Sequence, residues 1–240
     1  MKVIEDFYER EEMIETLVNS DRSRKAIRIL KDIISSLHSK ELRFLEIGCG
    51  TGEFLERTAR LDERLKVWGI DVSKLAIDKI KEKGFDGFAL DVSQQKLPFP
   101  DEFFDVVYSG DVIEHLLDPD FMISEVNRIL KEEGFLVLTT PNLASWCNRI
   151  LLLFGVQPLF SEVSTKKVFG RSGSKIVGHL RLYTLTSLKE FLSYYGFKII
   201  NIEGAYFHAF SPLLTSIDRF FSHFPSLSSI VVVIASNKKD

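Results

Sequence analysis

Cysteine is scarce in this sequence, and so are the other features that would take it out of the class of ordinary folded domains. Only Cys49 and Cys147 occur among 240 residues, and neither has a partner at a metal-ligand spacing. A disulfide-stapled scaffold is therefore excluded, and a reducing compartment is expected. No uncharged apolar run reaches the roughly 18–20 residues of a membrane-spanning helix. Residues 1–12 lack the apolar run of a signal peptide, so a cytoplasmic location is expected.

An excess of basic residues is lacking as well. The chain has 31 Lys and Arg against 34 Asp and Glu, for a net charge of −3, so we expect no nucleic-acid partner. Apolar residues make up 45% of the chain, which excludes a disordered protein and supplies one sizeable core. The length and the absence of a linker segment predict a single domain over residues 1–240.

The apolar positions divide this domain into zones. Residues 1–41 combine helical apolar spacing with mixed charge, which predicts N-terminal helices. Residues 42–142 alternate buried strand patterns with helical ones, which is typical of a mainly parallel sheet covered on both faces. Apolar and aromatic segments at 143–196 and 204–227 predict a helical cap, interrupted and followed by two late strands.

A glycine-rich loop between the first strand and its helix is the most specific feature. It reads Leu45-Glu46-Ile47-Gly48-Cys49-Gly50-Thr51-Gly52. Glycines let a ligand approach the backbone closely. Asp71 ends the next strand, where a carboxylate can accept hydrogen bonds from both hydroxyls of a ribose. An ordinary turn with a capping aspartate is the alternative, but the order strand, loop, helix, strand, acid favours a nucleoside site.

The position of the third glycine bears on which nucleoside binds. A dinucleotide loop runs Gly-x-Gly-x-x-Gly, whereas here the third glycine comes one residue early and Glu53 follows it. A carboxylate at the positive end of the helix would repel a pyrophosphate. The loop therefore favours a phosphate-free cofactor with a cationic centre, such as S-adenosylmethionine. An NAD-dependent oxidoreductase or epimerase is the alternative.

The loop resembles motif I of the class I S-adenosylmethionine-dependent methyltransferases, and later segments extend the resemblance. These segments are Gly69–Ser73, Asp91–Val92, Phe104–Ser109, Ile113–Leu116 and Gly134–Leu138. The Glu-His pair at 114–115 is similar to the type 11 branch that contains quinone-biosynthesis O-methyltransferases. The resemblance implies a Rossmann-like fold: a doubly wound, mainly parallel seven-stranded α/β sheet, whose last two strands form an antiparallel hairpin, with N-terminal helices and a helical cap.

Carried over position by position, the resemblance implies a set of cofactor contacts. They are Glu46, Gly48, Cys49, Gly50 and Gly52 along the methionine half, Asp71 on the ribose, Val72 on the adenine face, Asp91 and Val92 at the adenine edge, and Ser109 and Gly110 beneath the sulfonium. Cys49 can equally be a small buried side chain. Tyr8 could close over the cofactor or simply pack.

The residues after the fourth strand are candidates for the chemistry. Methyl transfer is an in-line displacement, so alignment and exclusion of water are the main tasks, and a base is needed only for a protonated acceptor. His115 and Asp111 are the candidate catalytic residues, because they follow the strand at the carboxyl edge of the sheet. A structural histidine bonded to a backbone carbonyl is the alternative for His115. Asn142 is expected to cap the next helix. No pattern predicts a metal site.

A basic stretch precedes the late strands. Lys166, Lys167, Arg171, Lys175 and Arg181 stand there against one acid, Glu162. The stretch is either a solvated loop or a lid for an acidic or lipid-like acceptor, and peripheral contact with an anionic membrane is a further reading. Candidate substrate residues are His179 and Arg181. Aromatics from Phe207 to Phe224, including Phe210, line an acceptor pocket or complete the core.

The function predicted from all of this is methylation of a small molecule, at oxygen. A regulatory protein that binds the cofactor without transferring the methyl group is the non-enzymatic alternative. The sequence does not predict the acceptor or the oligomeric state.

Overall fold

The computed structural model describes residues 20–164, 166–170, 176–207 and 211–239. Of the predicted N-terminal helices, only the part from residue 20 onward is therefore described. Tyr8, Arg171, Lys175 and Phe210 lie outside the described residues. Within the described ranges, no helix has the length and apolar character needed to cross a membrane.

Seven strands form one sheet in the order β3-β2-β1-β4-β5-β7-β6. They are β1 (Leu42–Ile47), β2 (Leu65–Asp71), β3 (Asp86–Ala89), β4 (Phe104–Gly110), β5 (Leu130–Pro141), β6 (Phe197–Ala205) and β7 (Ile230–Asn237). Strand β7 runs antiparallel to both of its neighbours, and all other pairs are parallel. The predicted doubly wound, mainly parallel sheet is confirmed. The last two strands do pair antiparallel, but a helix connects them instead of a tight turn.

Seven helices accompany the sheet within the described residues, and five of them begin at a residue whose side chain caps the helix. They are α1 (Asp21–Ser36), α2 (Glu53–Ala59), α3 (Lys74–Glu82), α4 (Pro119–Ile129), α5 (Trp146–Leu153), α6 (Leu185–Tyr194) and α7 (Pro212–Phe221), with a 3₁₀ turn at Ile113–His115. Ser145 caps α5 by accepting from the backbone N–H of Asn148. The expectation that Asn142 caps this helix is wrong. Asn142 is buried, and its amide donates to the Ser228 carbonyl at 2.9 Å, which ties the end of β5 to the segment before β7.

Two apolar layers cover the sheet, because successive strand residues point to opposite faces. On β7, Val233 packs in the layer that holds α4 and α6, and Val232 packs in the layer that holds α1, α2 and α3. Leu188 and Leu192 of α6 have no exposed surface. Helix α6 therefore belongs to the body of the fold, although the sequence analysis grouped it with the cap.

The strand order reverses between β1 and β4, at the centre of the sheet. In open α/β sheets, ligands bind at such a reversal, outside the carboxyl ends of the strands. Ile47 at the end of β1 is in register with Ser109 near the end of β4. This register places the glycine loop beside the segment that follows β4.

Candidate functional site

The glycine loop after β1 is a tight turn that leaves one side open. Gly48, Gly50 and Gly52 all have positive φ angles, of 76°, 50° and 88°. A Cβ atom on Gly48 would lie 2.4 Å from Val112 Cγ2, and one on Gly52 would lie 2.7 Å from Ile80 Cγ2. A Cβ atom on Gly50 would meet nothing within 4 Å. Gly48 and Gly52 are thus required by packing, whereas Gly50 faces space that a ligand can enter.

Glu46, just before this loop, is a buried acid with an unsatisfied oxygen. Its side chain is 4% exposed, and Oε2 has no hydrogen-bond partner within the described part of the chain. Burial raises the pKa of Glu46 well above its ordinary value, and the nearby Asp71 and Glu53 carboxylates raise it further. An orphaned buried acid is costly to the folded state. It suits a cationic ligand such as an ammonium or a sulfonium.

The end of β4 offers a second unsatisfied group, next to the end of β1. The Ser109 hydroxyl is fully buried and has no hydrogen-bond partner among the described residues. A Cβ atom on Gly110 would lie 2.4 Å from the Tyr108 hydroxyl, so only glycine fits there. Cys49, in the loop opposite, is buried, and burial raises the pKa of its thiol, so it is no nucleophile.

Asp71 braces the loop from the end of β2. Its Oδ2 accepts from the Gly50 N–H and its Oδ1 accepts from the Ser73 N–H, both at 2.9 Å. Burial raises the pKa of Asp71. Each carboxylate oxygen can still accept a second hydrogen bond. The adjacent Val72 is 39% exposed, which leaves an apolar face beside the acid.

Asp91 organises the turn that follows β3. Its Oδ1 accepts from the N–H and the hydroxyl of Ser93, at 2.9 and 2.6 Å, and its Oδ2 accepts from Gln94 Nε2 at 2.8 Å. Val92 is buried beside it. The structure thus gives Asp91 protein partners on both oxygens, and its contact with adenine stays a prediction.

After β4, on the other side of the point where the strand order reverses, Glu114 lies at the centre of a buried polar cluster. It has no exposed surface, and its Oε2 accepts from the Thr140 hydroxyl at 3.0 Å. Its Oε1 lies 4.0 Å from His179 Nε2 and has no hydrogen-bond partner in the described part of the protein. Burial raises the pKa of Glu114 well above its usual range, and Asp111 adds to the rise. The sequence places Glu114 beside Asp111 and His115 at the carboxyl edge of the sheet, but it does not predict the contacts with Thr140 and His179.

Two imidazoles meet at this cluster. The rings of His115 and His179 lie 4.7 Å apart, centre to centre. His115 Nδ1 is 3.1 Å from the Gly178 carbonyl, and His179 Nδ1 is 2.9 Å from the Phe160 carbonyl. Because a carbonyl only accepts, each Nδ1 carries the proton, and a neutral ring then has its lone pair on Nε2. Burial lowers the pKa of His115, which keeps its ring neutral at neutral pH.

The cluster also has the composition of a metal site. Glu114, His115 and His179 each offer a ligand atom, and these atoms lie within 4.8 Å of one another. Imidazole and carboxylate are common ligands of divalent transition metals. The sequence analysis predicts no metal, because His179 comes from a distant segment. The geometry could hold either a cation or a shared proton.

Asp111 and Arg181 both have protein partners. Asp111 has a positive φ of 53°, and its Oδ2 lies 2.5 Å from Arg22 Nη1 of α1. Its Oδ1 accepts from the Thr139 hydroxyl at 2.9 Å. Arg181 donates to the Leu116 carbonyl and so ties the cap to the segment after β4. Sequence reasoning missed Arg22, because nothing local marks a pairing between α1 and the end of β4.

The strand order, the glycine loop and the buried acid after β1 are features that the chain shares with the class I S-adenosylmethionine-dependent methyltransferases. Residues 45–138 match the family model described as a methyltransferase domain. This segment, less than half of the chain, is therefore similar to the class I methyltransferases, a family whose cofactor is S-adenosylmethionine. The orphaned Glu46 oxygen and the open side of Gly50 fit that cofactor.

Similar proteins differ in their chemistry. The ubiquinone biosynthesis O-methyltransferase of Pelagibacter ubique is 33% identical over 106 residues, which cover 43% of each chain. The ubiquinone/menaquinone biosynthesis C-methyltransferase of Paraburkholderia xenovorans is 31% identical over 101 residues, or 40% of this chain and 42% of that one. The alignments thus span less than half the length of these two relatives.

The fold extends further than this sequence similarity. A solved structure from Thermotoga maritima, described as an S-adenosylmethionine-dependent methyltransferase and possible histamine N-methyltransferase, has a TM-score of 0.60 and 21% identity. The superposition covers 99% of this chain and 100% of that chain. At this identity the likeness shows a shared fold and nothing about the acceptor.

Proposed function

We propose that this protein transfers the methyl group of S-adenosylmethionine to an oxygen atom of a small-molecule acceptor. The observation that carries the proposal is the buried Glu46 carboxyl, whose unsatisfied oxygen lies beside a glycine loop at the switch point of the sheet. S-adenosylmethionine supplies a methyl group on a positively charged sulfur, which makes that carbon electrophilic. The residues of the chain then bind the donor, aim the acceptor and take up its proton.

Two groups of residues would hold the donor. Glu46 accepts a hydrogen bond from the methionine ammonium, and the charge of that ammonium stabilises the carboxylate in its buried position. Asp71 accepts from the ribose hydroxyls while its other lone pairs keep the loop in place. The exposed side of Val72 packs on the adenine ring, and Asp91 with Val92 borders its edge.

His115 is the proposed general base. Its Nδ1 is fixed on the Gly178 carbonyl, so Nε2 is the nitrogen that receives the acceptor's hydroxyl proton. Burial lowers its pKa, so the ring is in the neutral, proton-accepting form at neutral pH. Asp111 has its charge balanced by Arg22, and acts as a positioning residue at the same edge of the site.

The acceptor side favours a flat molecule with an acidic group. Phe160 and Phe207 meet edge to face at 4.9 Å, and Phe160 also lies 5.9 Å from His179. Lys166 and Lys167 are exposed on the same segment as Phe160. Apolar rings in the same part of the chain as exposed basic side chains suit an aromatic acid or a lipid-like acceptor with an anionic group.

A calorimetric titration tests the donor assignment. S-adenosylhomocysteine is expected to bind and NAD is not. Asp71→Ala should weaken S-adenosylhomocysteine binding by about 2–3 kcal/mol, or roughly 30–150-fold. Asp78→Ala, which removes an exposed acid from α3, is the matched control. Equal affinities of wild type and a folded Asp71→Ala variant would contradict the assignment.

An acceptor panel tests the transfer itself. Phenols, aromatic acids, amines and activated carbon acids are incubated with isotopically labelled donor, and product NMR identifies the methylated atom. Methylation at oxygen is expected. Methylation at carbon or nitrogen would overturn that part of the proposal. Tight S-adenosylhomocysteine binding with no transfer to any class would favour a protein that binds the cofactor without using it.

A further inference from the structure

Helices α5 and α7 each bury a polar residue and expose apolar side chains, which is the reverse of the usual arrangement. Within the described residues, Asn148 is the only buried residue of α5, and Asp218 is the only buried residue of α7. At 100° per residue, Leu153 lies on the face of α5 opposite Asn148, and Leu213 and Phe220 lie on the face of α7 opposite Asp218. A helix of a globular protein normally buries its apolar face. These two helices bury a polar residue and turn apolar side chains outward.

The buried polar residues of the two helices anchor them to the body through hydrogen bonds. Asp218 accepts from Trp146 Nε1 at 2.6 Å, from the Ser229 hydroxyl at 2.7 Å and from the Phe207 N–H at 2.6 Å. Asn148 bonds backbone groups through both ends of its amide. The most outward apolar side chains, such as Leu153 with 79% of its surface exposed, contribute little to attaching the helices.

The outward side chains are concentrated on adjoining elements. Of the seventeen large apolar side chains that the described residues expose, ten lie within residues 146–169 and 212–224. Helices α5 and α7 adjoin, because the rings of Trp146 and Phe221 stack at 5.3 Å. We call six of them, which lie on α5, on α7 or just after these helices, the apolar cap face: Leu152, Leu153, Phe154, Leu213, Phe220 and Phe224. Exposed apolar patches of this kind mark interaction surfaces.

The segment of the sequence that contains α5 is rich in basic residues. Residues 143–181 contain six basic side chains and one acidic one, in a chain whose net charge is −3. The acid, Glu162, accepts from the Val177 and Gly178 N–H groups and so faces its own backbone. Lys167 lies over the ring of the exposed Phe169 at 5.9 Å. Basic side chains beside outward apolar ones complement anionic headgroups above an acyl layer. A second copy would instead bring two basic stretches together.

We propose that the apolar cap face docks on the surface of a bilayer that contains anionic lipid. Leu153, Phe154 and Phe220 enter the boundary between headgroups and acyl chains, and Lys166 and Lys167 lie at the phosphates. The interaction is peripheral and needs neither cofactor nor acceptor, so it can be tested separately from methyl transfer.

Sedimentation with vesicles tests the proposal. The full chain should bind vesicles of phosphatidylglycerol and phosphatidylcholine, bind pure phosphatidylcholine weakly, and bind less as salt is raised. Leu153→Glu/Phe154→Glu should lower the partition coefficient at least tenfold. Leu75→Glu, which places the same charge at an exposed leucine of α3, should leave it unchanged. Lys166→Gln/Lys167→Gln should weaken binding to the anionic vesicles about fivefold per charge removed.

Three results would overturn the proposal. They are no binding of the wild type to the anionic vesicles, equal binding by the Leu153→Glu/Phe154→Glu variant, and a dimer in light scattering that this variant converts to a monomer. The last would show that a second copy covers the face. Thermal unfolding and S-adenosylhomocysteine affinity verify that each variant is folded. If the double variant does not fold, Phe220→Glu on α7 makes the same test.

Discussion

In the part of the chain that the structure describes, the cofactor side leaves buried polar atoms without hydrogen-bond partners, whereas the cap leaves apolar side chains exposed to solvent. At the ends of β1 and β4, Glu46 and Ser109 bury polar atoms that have no hydrogen-bond partner among the described residues. In the cap, the buried Asp218 carboxylate accepts hydrogen bonds from neighbouring side chains, and apolar side chains such as Leu153 face the solvent. An unsatisfied polar atom calls for a polar ligand, and an exposed apolar side chain calls for an apolar surface. The two regions are therefore built to be completed by different partners.

The largest effect on turnover is expected at His115, which lies between the cofactor side and the cap. His115→Ala should lower turnover of the identified acceptor by about 10²–10⁴-fold, because general-base assistance is lost. The affinity for S-adenosylhomocysteine should change less than twofold. His223→Ala, at an exposed histidine of the cap, is the control. A loss that appears wholly in cofactor affinity would move His115 to the donor side of the comparison.

The pH profile of turnover sharpens this assignment. The base works only when its imidazole is neutral, so turnover rises with pH through the pKa of His115. Because burial lowers that pKa from its ordinary value of 6.5, the rise in turnover should be centred below pH 6.5. This window lies lower than the rise through pH 6–7 that an unperturbed histidine would give. A rise centred above pH 6.5 would require another base.

A pair of glycine variants tests whether the open side of the loop holds the cofactor. Gly50 and Gly84 both have positive φ and open space at the Cβ position, so valine costs similar backbone strain at each. Gly50→Val should weaken S-adenosylhomocysteine binding about a hundredfold or more, because the side chain projects toward the ligand. Gly84→Val, at the end of α3, should leave the affinity unchanged. Similar affinities in the two variants would show that the loop does not approach the ligand.

The Glu46→Gln variant tests what this buried acid contributes to cofactor binding and to the stability of the folded protein. The variant should bind S-adenosylhomocysteine about 10–100-fold more weakly, since it loses a charge-assisted hydrogen bond to the ammonium. Without ligand it should be more stable than the wild type at pH 8. The folded-state pKa of Glu46 is raised, so its contribution to stability is complete below its unfolded pKa and is lost as pH rises through the folded pKa. Denaturant unfolding at pH 4 and pH 8 measures the difference, which should vanish as the pH falls below the unfolded pKa of about 4.5.

The smallest effect on the cofactor is expected from the cap. Asp218→Asn places an amide N–H where the Trp146, Ser229 and Phe207 groups all donate, so one donor loses its acceptor. The free energy of unfolding should fall by about 1–2 kcal/mol. The affinity for S-adenosylhomocysteine should stay within twofold of the wild type. A large loss of affinity for S-adenosylhomocysteine would show that the cofactor side depends on the cap, and would contradict their separate roles.

The sheet could be predicted from the sequence because its signals are local. Each strand carries its own apolar run, and the loop at Gly48–Gly52 follows the first of them directly. The cap could not be assigned as well. Leu188 and Leu192 have a spacing that suits a cap helix as readily as a helix against the sheet, and only the packed structure places them in the core. Asn142 looked like a helix cap because asparagine is common there, yet its amide bonds a segment far along the chain.

The acceptor side depends on pairs that no local pattern announces. Glu114 meets His179, and Arg22 meets Asp111, across long stretches of sequence. Each of these residue types is usual on a surface, so its position alone gives no signal. The donor side is formed by one continuous loop, and for that reason its residues could be predicted from the sequence.

The position of β7 has a consequence for how the chain acquires its fold. Strand β7 is the last in sequence, but it lies between β5 and β6 and is the sheet partner of both. The sheet from β3 to β5 can therefore assemble while the rest of the chain is still being synthesised, whereas β6 has no neighbour until the final strand emerges from the ribosome. Pairings between residues so distant in sequence form slowly. The donor side is thus expected to fold first during translation, and the cap, whose Asp218 bonds Ser229 just before β7, to lock last.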